Sequence, residues 1–477
     1  MCFYRAKTRP YAHQRSALKK LLHNGYGGAL LMEPRTGKTK TCIDWAGILR
    51  SIRDLDIVVV FAPAPVLPVW EQELKIHCGV PYEVIVWDAE ARAKKIVPTP
   101  RDRLLWVLVN YEALSSGGRV TKSGNESVKA GRGWVKNTLK KLCGKYCTAI
   151  VLDESHRIKS CSSKAAIALF TLGSKAEYRV IMSGTPVTKH NRPDDIYSQW
   201  KFLNPRRFLD VPTRMDFMKR YSNQISGRYG YAQFEGVRNE QELRERMMED
   251  SYSVTRDECY DLPERTYESI PVALSLESRK AYDSIESSGV WEKTVATHIL
   301  SRLTELTKIT GGHTGDAWDH IGSEKLEVLR GIIEDHQDSE SPLVVAARYR
   351  AEIVRIQELC QSLRVPFMTI HGGSDTAAEL GRWRSLKGCR VMLLQPQAGS
   401  LGIDLREADH LVWYSLVYQW TDYSQTCDRI ALCERPTTIT HLLAQDTVDW
   451  DVARILQEDG DVVETIMEVG NERTTIS

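Results

Sequence analysis

A phosphate-binding pattern lies near the start of the chain. Residues 29–41 read ALLMEPRTGKTKT, in which an apolar run leads through a short loop into Gly37, Lys38 and Thr39. Such a loop binds phosphates because its backbone N–H groups point at the anion, a lysine reaches the β and γ oxygens, and a hydroxyl holds Mg²⁺. The position five before Gly37, which is usually glycine in such loops, is Met32. This departure weakens the match but keeps Gly37, the glycine that must approach the phosphates most closely.

An acidic pair follows a second apolar run, in the stretch Val151–His156 with the sequence VLDESH. A strand that ends in two carboxylates can place Asp153 on Mg²⁺ and leave Glu154 to orient or deprotonate water. Acidic pairs at strand ends are most often solvated turn residues, and a GKT triplet alone is common by chance. A third strand end, Ser183–Pro186, follows in order, and the three patterns together indicate a site for ATP and Mg²⁺.

The strands that would position these motifs are short apolar runs bounded by turn residues. In the first half they are Ala29–Met32, Ile57–Ala62, Leu104–Val109, Ala149–Leu152 and Val180–Met182. In the second half they are Leu343–Ala346, Pro366–Ile370, Val391–Leu394, Leu411–Tyr414 and Ile439–Leu443. Continuous apolar runs are typical of parallel strands buried on both faces, and amphipathic helical patterns lie between them. The alternation predicts an α/β fold with two doubly wound parallel-sheet lobes.

The middle of the chain lacks this rhythm. Residues 206–340 are charged and mostly helical in pattern, with Glu240–Glu249 and Glu324–Glu334 as the clearest examples. We therefore predict four segments. They are a first lobe at 1–205, helical insertions and a linker at 206–340, a second lobe at 341–460, and an acidic, polar tail at 461–477.

The bulk composition limits location and partners. A chain of 477 residues can form roughly two to four compact units. The formal net charge of +2 means that a polyanion must meet a local basic surface rather than the field of the whole molecule. The N-terminal sequence MCFYRAKTRPY is too polar for a signal peptide, and no stretch approaches the roughly 18 apolar residues of a membrane span, so we expect a cytoplasmic protein. The eleven cysteines lack zinc-site spacing, and we expect reduced, mostly buried thiols.

The order of these motifs resembles that of superfamily 2 helicases, and specifically the SWI/SNF-like branch of DNA translocases. The resemblance covers nearly the whole chain, from Arg9 to about Asp451. The matching stretches of the first half are Pro10–Gln14, Glu33–Thr39, Ala62-Pro63 with Trp70-Glu71, Val109–Glu112, Asp153–Lys159, Ser183–Pro186 and Trp200–Pro205. Those of the second half are Arg256–Glu258 with Asp261–Pro263, Val344–Arg348, His371-Gly372, Gln397–Leu405 and Gln425–Arg429. The compact length is similar to that of phage-encoded members, which implies a bacterial or phage-infected cell.

The resemblance implies two RecA-like lobes with helical insertions and with ATP in the cleft between the lobes. The first lobe would supply Gln14 to the base, Arg35, Thr36, Gly37, Lys38 and Thr39 to the phosphates, Thr39 and Asp153 to Mg²⁺, and Glu154 to the attacking water. The second lobe would supply Gly402 and Asp404 to the ribose and phosphates, Gln425 to support the geometry, and Arg429 to the γ-phosphate. ATP and Mg²⁺ are thus the expected cofactors.

The same resemblance implies contacts to the sugar-phosphate backbone of DNA, because a motor that moves over any sequence cannot depend on base edges. The implied contacts are Pro63, Asn110, Tyr111 and Thr185 on the first lobe, and Arg348, His371 and Ser400 on the second. Independently, the stretch Arg119–Lys145 holds eight Lys or Arg residues against one acid, Glu126. This stretch is either a DNA-facing patch or the solvated face of a helix whose Trp134, Leu139 and Leu142 turn to the core. We expect most of the twelve tryptophans to be core residues as well.

One position departs from the family pattern. The last motif usually ends in two arginines three apart, and the second position here is Leu432. An arginine finger contributes about 10³–10⁵ in turnover. Either Arg429 suffices, or Arg435 reaches in from the next turn, or the chain is a weak ATPase.

These observations predict an ATP-driven motor on double-stranded or branched DNA. We expect a monomer without sequence preference, with a replication or recombination protein as a further candidate partner. A nucleotide-gated DNA-binding protein with little or no ATPase activity is one alternative, and an RNA helicase or the motor subunit of a restriction system is the other.

Overall fold

The chain divides into two α/β units, Met1–Tyr260 and Asp261–Ser477, in the computed structural model. The structure describes residues 4–53, 55–87, 102–115, 120–121, 127–128, 134–184, 193–226, 232–261, 263–291, 294–295, 299–396 and 403–458. Within these ranges each unit is built on a parallel sheet. The division falls inside 206–340, the stretch predicted to hold helical insertions.

Seven parallel strands form the sheet of the first unit in the part that the structure describes. The strands of this unit are β1 Gly27–Met32, β2 Ile57–Ala62, β3 Tyr82–Val86, β4 Leu104–Asn110, β5 Val120–Thr121, β6 Ser127–Val128, β7 Thr148–Asp153, β8 Tyr178–Ser183, β9 Ser222–Ser226, β10 Ala232–Val237 and β11 Ser251–Val254. The sheet order is β11-β1-β8-β7-β2-β4-β3, and β5–β6 and β9–β10 are antiparallel hairpins. Because β1, β8 and β7 are parallel neighbours, Met32, Ser183 and Asp153 end at one edge of the sheet.

Both faces of this sheet are covered, which explains why its strands are continuously apolar. Ile57, Val59 and Phe61 of β2 pack into one cluster, and the alternate residues Val58 and Val60 pack into the other. The helices that contribute to this unit are Ala12–Asn24, Lys38–Arg53, Leu67–His77, Glu112–Ser115, Trp134–Cys143, Lys164–Gly173, Pro193–Leu203, Arg214–Tyr221, Glu240–Asp250 and Arg256–Cys259, with 3₁₀ turns at Ala64–Val66 and Ser155–Ile158.

The second unit repeats this design on a parallel sheet with six described strands. Its strands are β12 Arg265–Val272, β13 Val290–Trp291, β14 Thr294–Val295, β15 His313–Thr314, β16 Asp319–His320, β17 Pro342–Ala346, β18 Phe367–Ile370, β19 Arg390–Leu394, β20 His410–Trp413 and β21 Thr437–Ala444. The sheet order is β12-β21-β20-β17-β19-β18, with β13–β14 and β15–β16 as separate hairpins. Its helices are Leu276–Ser288, Ile299–Thr310, Glu324–Asp338, Arg350–Ser362, Thr376–Ser385, Trp420–Cys427 and Val448–Gln457.

The predicted fold class is confirmed, since both units are parallel-sheet α/β structures. All ten apolar runs predicted as strands form strands, with ends within two residues of the prediction. The strands β3, β11 and β12 were not predicted, and each lies at an edge of its sheet. β11 and β12 lie within 206–340, so that stretch supplies an edge strand to each sheet besides its helices. The four segment boundaries otherwise stay a prediction.

Buried aromatic residues fill much of the core. Among the tryptophans whose side chains the structure describes, seven are buried, namely Trp45, Trp70, Trp87, Trp106, Trp200, Trp383 and Trp413, as expected for core residues. Six of the ten described cysteines are buried. In the described part of the chain, no helix combines the length and the apolar character needed to cross a bilayer.

Candidate functional site

The phosphate loop connects β1 to the helix Lys38–Arg53 and contains two residues with left-handed backbone. Arg35 has φ 73° and Gly37 has φ 84°. A Cβ on Gly37 would lie 2.3 Å from Gln14 Nε2, so both the backbone and the packing require glycine there. Arg35 has no such freedom, and a left-handed non-glycine residue costs roughly 1–2 kcal/mol. Left-handed residues between ordinary ones turn successive N–H groups to one side, which is the geometry of an anion site.

Met32 occupies a position where glycine is not needed. It is the last residue of β1, is fully buried and pairs in register with Val254 of β11. The residues that require unusual backbone lie later in the loop, at Arg35 and Gly37. The departure at Met32 therefore does not disturb the turn.

Lys38 lies over its own loop and near the other two motifs. Its Nζ donates hydrogen bonds to Met32 O at 2.7 Å and to Glu33 O at 3.1 Å. A Cβ built on Gly184, at the end of β8, would lie 3.6 Å from this Nζ. The charge of Lys38 also acts on the carboxyl of Asp153. The structure thus brings the three motifs together, whereas the predicted contact Thr185 lies outside the described residues.

Asp153 is a buried carboxylate held by three neighbours. Its Oδ2 accepts the indole N–H of Trp70 at 2.8 Å, and its Oδ1 accepts the N–H of Glu154 at 3.0 Å. The hydroxyl of Tyr111 donates to Asp153 O at 2.8 Å. Burial and then the charge of Glu154 raise the pKa of Asp153 to about 6, while Trp70 and Lys38 oppose this rise. A buried, oriented carboxylate beside a lysine and a phosphate loop fits a Mg²⁺ ligand, and Thr39 lies at the start of the adjacent helix.

Glu154 begins the 3₁₀ turn Ser155–Ile158 in a left-handed conformation, with φ 52°. Its Oε2 lies 3.4 Å from His156 Nδ1. Burial, followed by the charges of Arg157 and Lys159, lowers the pKa of His156 to about 4, so the ring is neutral near pH 7. The contact therefore places a neutral imidazole beside the Glu154 carboxyl.

The predicted base contact, Gln14, is committed to the loop in this structure. It is 2% exposed, its Nε2 donates to Thr36 O at 3.3 Å, and its Oε1 accepts the N–H of Tyr11 at 3.0 Å. His13 Nε2 also lies 2.8 Å from Thr36 O. These contacts brace the loop from the side of the first helix.

In the second unit, the predicted nucleotide contacts lie around the turn after residue 402. Asp404 accepts hydrogen bonds from the guanidinium of Arg406, with Nε at 2.8 Å. Arg429 is 7% exposed, its Nη1 lies 3.4 Å from Ile403 O, and its carbonyl accepts the N–H of Leu405. Gln425 is half-buried on the helix Trp420–Cys427, and Gly402 lies outside the described residues.

Arg435 is held away from Arg429 by contacts of its own. Its Nε lies 3.1 Å from Asp409 Oδ2, and its Nη2 donates to Glu407 O at 2.9 Å. Leu432 is half-buried between these arginines. In this structure Arg429 is thus the arginine of the last motif that lies against the turn at Ile403.

The predicted DNA contacts differ in exposure. Tyr111 is 4% exposed and its hydroxyl supports Asp153, so its side chain braces the strand end rather than facing outwards. Pro63 is buried and Asn110 is half-buried, both at strand ends of the first sheet. The guanidinium of Arg348 lies 3.3 Å from the ring centre of Tyr418.

Two more predicted contacts belong to the second unit. His371 is half-buried, and its Nδ1 lies 3.1 Å from Arg350 Nη2. Ser400 lies outside the described residues.

The described part of the basic stretch 119–145 is an amphipathic helix. This helix is Trp134–Cys143, and its Leu139 and Leu142 are buried. The ring centres of Trp134 and Trp87 lie 5.2 Å apart. Lys140 and Lys141 are exposed on the opposite face. The helix thus has the core face that we considered, and its exposed lysines remain available to a polyanion. The rest of the stretch lies mostly outside the described residues.

Sequence reasoning missed the support that Trp70, Arg256 and Tyr260 give to the site. Trp70 and Arg256 lie in stretches that carry the resemblance, but their partners Asp153 and Glu33 are distant in sequence. Tyr260 donates to Arg35 O at 3.1 Å. An aromatic or basic residue next to a motif is the only signal that the sequence offers for such contacts.

The chain consists of two parallel-sheet units. The first unit carries a phosphate loop, an acidic strand end and a third strand end side by side. This combination is that of a nucleotide-binding α/β protein. A model of the SNF2-related domain matches residues 13–313, and one of the helicase conserved C-terminal domain matches residues 324–432. The first match covers more than half of the chain, so the chain belongs to the SNF2-related family. The predicted SWI/SNF-like resemblance is confirmed.

Individual relatives are distant and longer. An uncharacterized ATP-dependent helicase of Mycoplasma genitalium is 22% identical over 94% of this chain and 41% of its own length. The SWI/SNF-related matrix-associated actin-dependent regulator of chromatin subfamily A-like protein 1 of Drosophila melanogaster is 21% identical over 65% of this chain and 40% of its own. DNA annealing helicase and endonuclease ZRANB3 of Bos taurus is 24% identical over 63% and 28%. The chain thus spans less than half of these curated relatives.

A solved structure of the Sulfolobus solfataricus SWI2/SNF2 ATPase core in complex with double-stranded DNA is also similar. It is 20% identical, and the alignment covers 100% of this chain and 97% of that one, with a TM-score of 0.44.

Proposed function

We propose that this chain is a DNA-dependent ATPase that couples ATP hydrolysis to movement along double-stranded or branched DNA. The observation that carries the proposal is the juxtaposition of Lys38, Asp153 and Gly184 at one sheet edge, in a chain of the SNF2-related family. The names of the relatives, which include an ATP-dependent helicase and a DNA annealing helicase, support the same activity.

The residues of the chain divide the work of hydrolysis. The loop N–H groups from Arg35 to Thr39 and the Lys38 ammonium hold the phosphates of ATP. Asp153 and Thr39 hold Mg²⁺, which neutralises phosphate charge when it is bound. Glu154, oriented by neutral His156, positions the attacking water.

The second unit supplies an arginine to the γ-phosphate and further contacts to the nucleotide and the DNA. Arg429 stabilises the charge that develops on the γ-phosphate, supported by Gln425, while Gly402 and Asp404 contact the ribose and phosphates. Pro63, Asn110, Thr185, Arg348, His371 and Ser400 contact the DNA backbone, and Tyr111 contributes through its backbone. Alternating grip by the two units then advances the protein without sequence preference.

A second candidate function is a nucleotide-gated DNA-binding protein with weak turnover. The observation that favours it is Leu432 at the second arginine position, together with the contacts of Arg435 to Asp409 and Glu407. This protein would bind DNA in response to ATP without releasing phosphate. An RNA helicase would instead show hydrolysis stimulated by RNA.

The wider setting follows from the same proposal. We infer a monomer in the cytoplasm of a bacterial or phage-infected cell. A replication or recombination protein is the expected partner besides DNA.

Steady-state phosphate release tests these alternatives. The full chain is assayed without nucleic acid and with single-stranded DNA, duplex DNA, forked DNA or RNA, with Lys38→Ala as the blank. We expect stimulation by duplex or forked DNA that disappears in the blank. Stimulation by RNA alone, or activity that survives Lys38→Ala, would overturn the proposal.

A companion variant, Leu432→Arg, addresses the weak-ATPase candidate. A large gain in turnover would show that Leu432 limits the turnover of the natural chain. Unchanged turnover would show that another arginine already reaches the γ-phosphate.

A further inference from the structure

The last residues of the first unit are bonded to the phosphate loop at several points. Glu33 N donates to Val254 O at 3.1 Å. The backbone N–H of Arg256 donates to Glu33 Oε2 at 2.9 Å, and its guanidinium Nε lies 3.2 Å from the same oxygen. Tyr260 donates its hydroxyl hydrogen to Arg35 O at 3.1 Å. The loop is therefore held from outside by a segment more than 200 residues away in sequence.

Tyr260 lies where the loop backbone is least favourable. Its partner carbonyl belongs to Arg35, the non-glycine residue with φ 73°. The ring of Tyr260 also meets the rings of Tyr11 and His13 edge-on, at 6.1 and 5.9 Å between centres. His13 in turn lies 2.8 Å from Thr36 O. Two consecutive loop carbonyls are thus fixed by aromatic residues that contact each other.

Arg256 acts on the loop electrostatically, through the charge of Glu33. Glu33 places a carboxylate in the loop that would bind the triphosphate. The negative charges of the carboxylate and of the triphosphate repel each other when they are close together. The side chains of Glu33 and Arg256 are 28% and 15% exposed, so solvent screens the carboxylate only partly. The Arg256 guanidinium neutralises it where the incoming anion would otherwise meet it.

We propose that Arg256 and Tyr260 are positioning residues for the phosphate loop, Tyr260 by holding Arg35 in its left-handed conformation and Arg256 by neutralising Glu33. Neither residue needs to touch the nucleotide. The inference rests on the proposed function, because it assumes that the loop binds the phosphates of ATP. It goes beyond that function by assigning the segment before Asp261 a role in nucleotide affinity.

Nucleotide affinity of the full chain tests the two roles separately. Arg256→Gln should raise KM for ATP about tenfold with little change in kcat, because the unmasked Glu33 carboxylate repels bound ATP before and during reaction alike. The loss should shrink from ATP to ADP to AMP in calorimetric titrations, since the repulsion scales with ligand charge. In the Glu33→Gln background the same Arg256→Gln change should have almost no effect.

Tyr260→Phe removes the hydroxyl but keeps the ring. The affinity of this variant for ATP should fall about fivefold, which corresponds to the net contribution of one hydrogen bond. The affinity for ADP should fall by the same factor. A difference in charge dependence between the two variants is a readout that a merely structural role would not produce.

Matched controls lie elsewhere in the same unit. Arg244→Gln removes an exposed arginine 3.6 Å from Glu240, and Tyr252→Phe removes the hydroxyl of a half-buried tyrosine on β11. Both should bind ATP like the natural chain. If Arg256→Gln fails to fold, Glu33→Gln still serves, because it removes the charge and should bind ATP at least as tightly as the natural chain.

The outcomes separate this inference from the proposed function. Hydrolysis that survives Lys38→Ala would defeat the proposed function itself. If Lys38→Ala abolishes hydrolysis while Arg256→Gln and Tyr260→Phe bind ATP like the natural chain, the positioning roles alone are wrong. Weaker ATP binding by Glu33→Gln, or equal losses for ATP and AMP in Arg256→Gln, would also overturn the electrostatic role.

Discussion

Replacing Asp153 with asparagine should stabilise the nucleotide-free protein at alkaline pH while removing ATP hydrolysis. Burial, followed by the charge of Glu154, raises the pKa of Asp153 from the ordinary value of 3.8 to about 6. At about 1.4 kcal/mol per pKa unit, ionising this carboxyl in the folded protein costs at most about 3 kcal/mol. Asparagine can still accept the Trp70 hydrogen bond but carries no charge to bury.

The sign of the pH dependence follows from which state binds the proton more tightly. The folded protein binds it more tightly than the unfolded chain, so this stabilisation is fully present below about pH 3.8 and is lost as the pH rises through about 6. The stability advantage of Asp153→Asn over the natural chain should therefore grow by about 1 kcal/mol between pH 5 and pH 8.

Urea unfolding of the first unit at pH 5 and pH 8 measures this difference. Asp210→Asn is the matched control: the hydrogen bond from Arg246 lowers the pKa of Asp210, so the carboxyl is charged at both pH values and its loss should change stability by the same amount at pH 5 and pH 8. Mg²⁺ with ADP should stabilise the natural chain more as the pH rises, and should not do so for Asp153→Asn, because a ligating carboxyl must be deprotonated. A stability difference between Asp153→Asn and the natural chain that is the same at both pH values would refute the reasoning.

Three further perturbations test other parts of the structure. Trp70→Phe removes an N–H donor that lowers the pKa of Asp153, so the acid limb of the ATPase pH profile should move to higher pH; an unmoved limb in initial rates would contradict this. Glu352→Gln should stabilise the second unit at pH 8.5 but not at pH 5. Burial raises the pKa of Glu352 to about 7, so the natural chain loses the favourable neutral carboxyl above that pH. The urea midpoints of the variant and the natural chain at the two pH values test this prediction. Arg429→Gln should lower kcat by about 10³ or more, whereas Arg435→Gln, whose arginine is held by Asp409, should leave phosphate release nearly unchanged.

The strands that carry the site were predictable because they are buried on both faces. Continuous apolar runs such as Ile57–Ala62 have one interpretation in a chain that also has amphipathic helices between them. The edge strands gave no such signal, since one side of each has no neighbouring strand among the described residues. β12 has four exposed residues in a row, and β3 is half-buried throughout.

Individual contacts within the site were less predictable than the motifs. The indole of Trp70 reaches Asp153 across 83 residues, and the carboxylate of Glu33 meets Arg256 across 223. Such pairs depend on which strands become neighbours, which the sequence of one motif does not contain. Tyr111 illustrates the same limit, because its place at a strand end fits a DNA contact but its ring turns inwards to Asp153.

The loop itself shows how a phosphate site can depart from its usual sequence. Glycine is common in such loops because some positions need left-handed backbone, and these positions are Arg35 and Gly37 here rather than Met32. At Gly37 the requirement is met by the residue itself. At Arg35 it is met by a tertiary hydrogen bond from Tyr260, whose net worth of about 1 kcal/mol is comparable to the strain of roughly 1–2 kcal/mol. The conformation of this loop therefore depends on a residue 225 positions further along the chain.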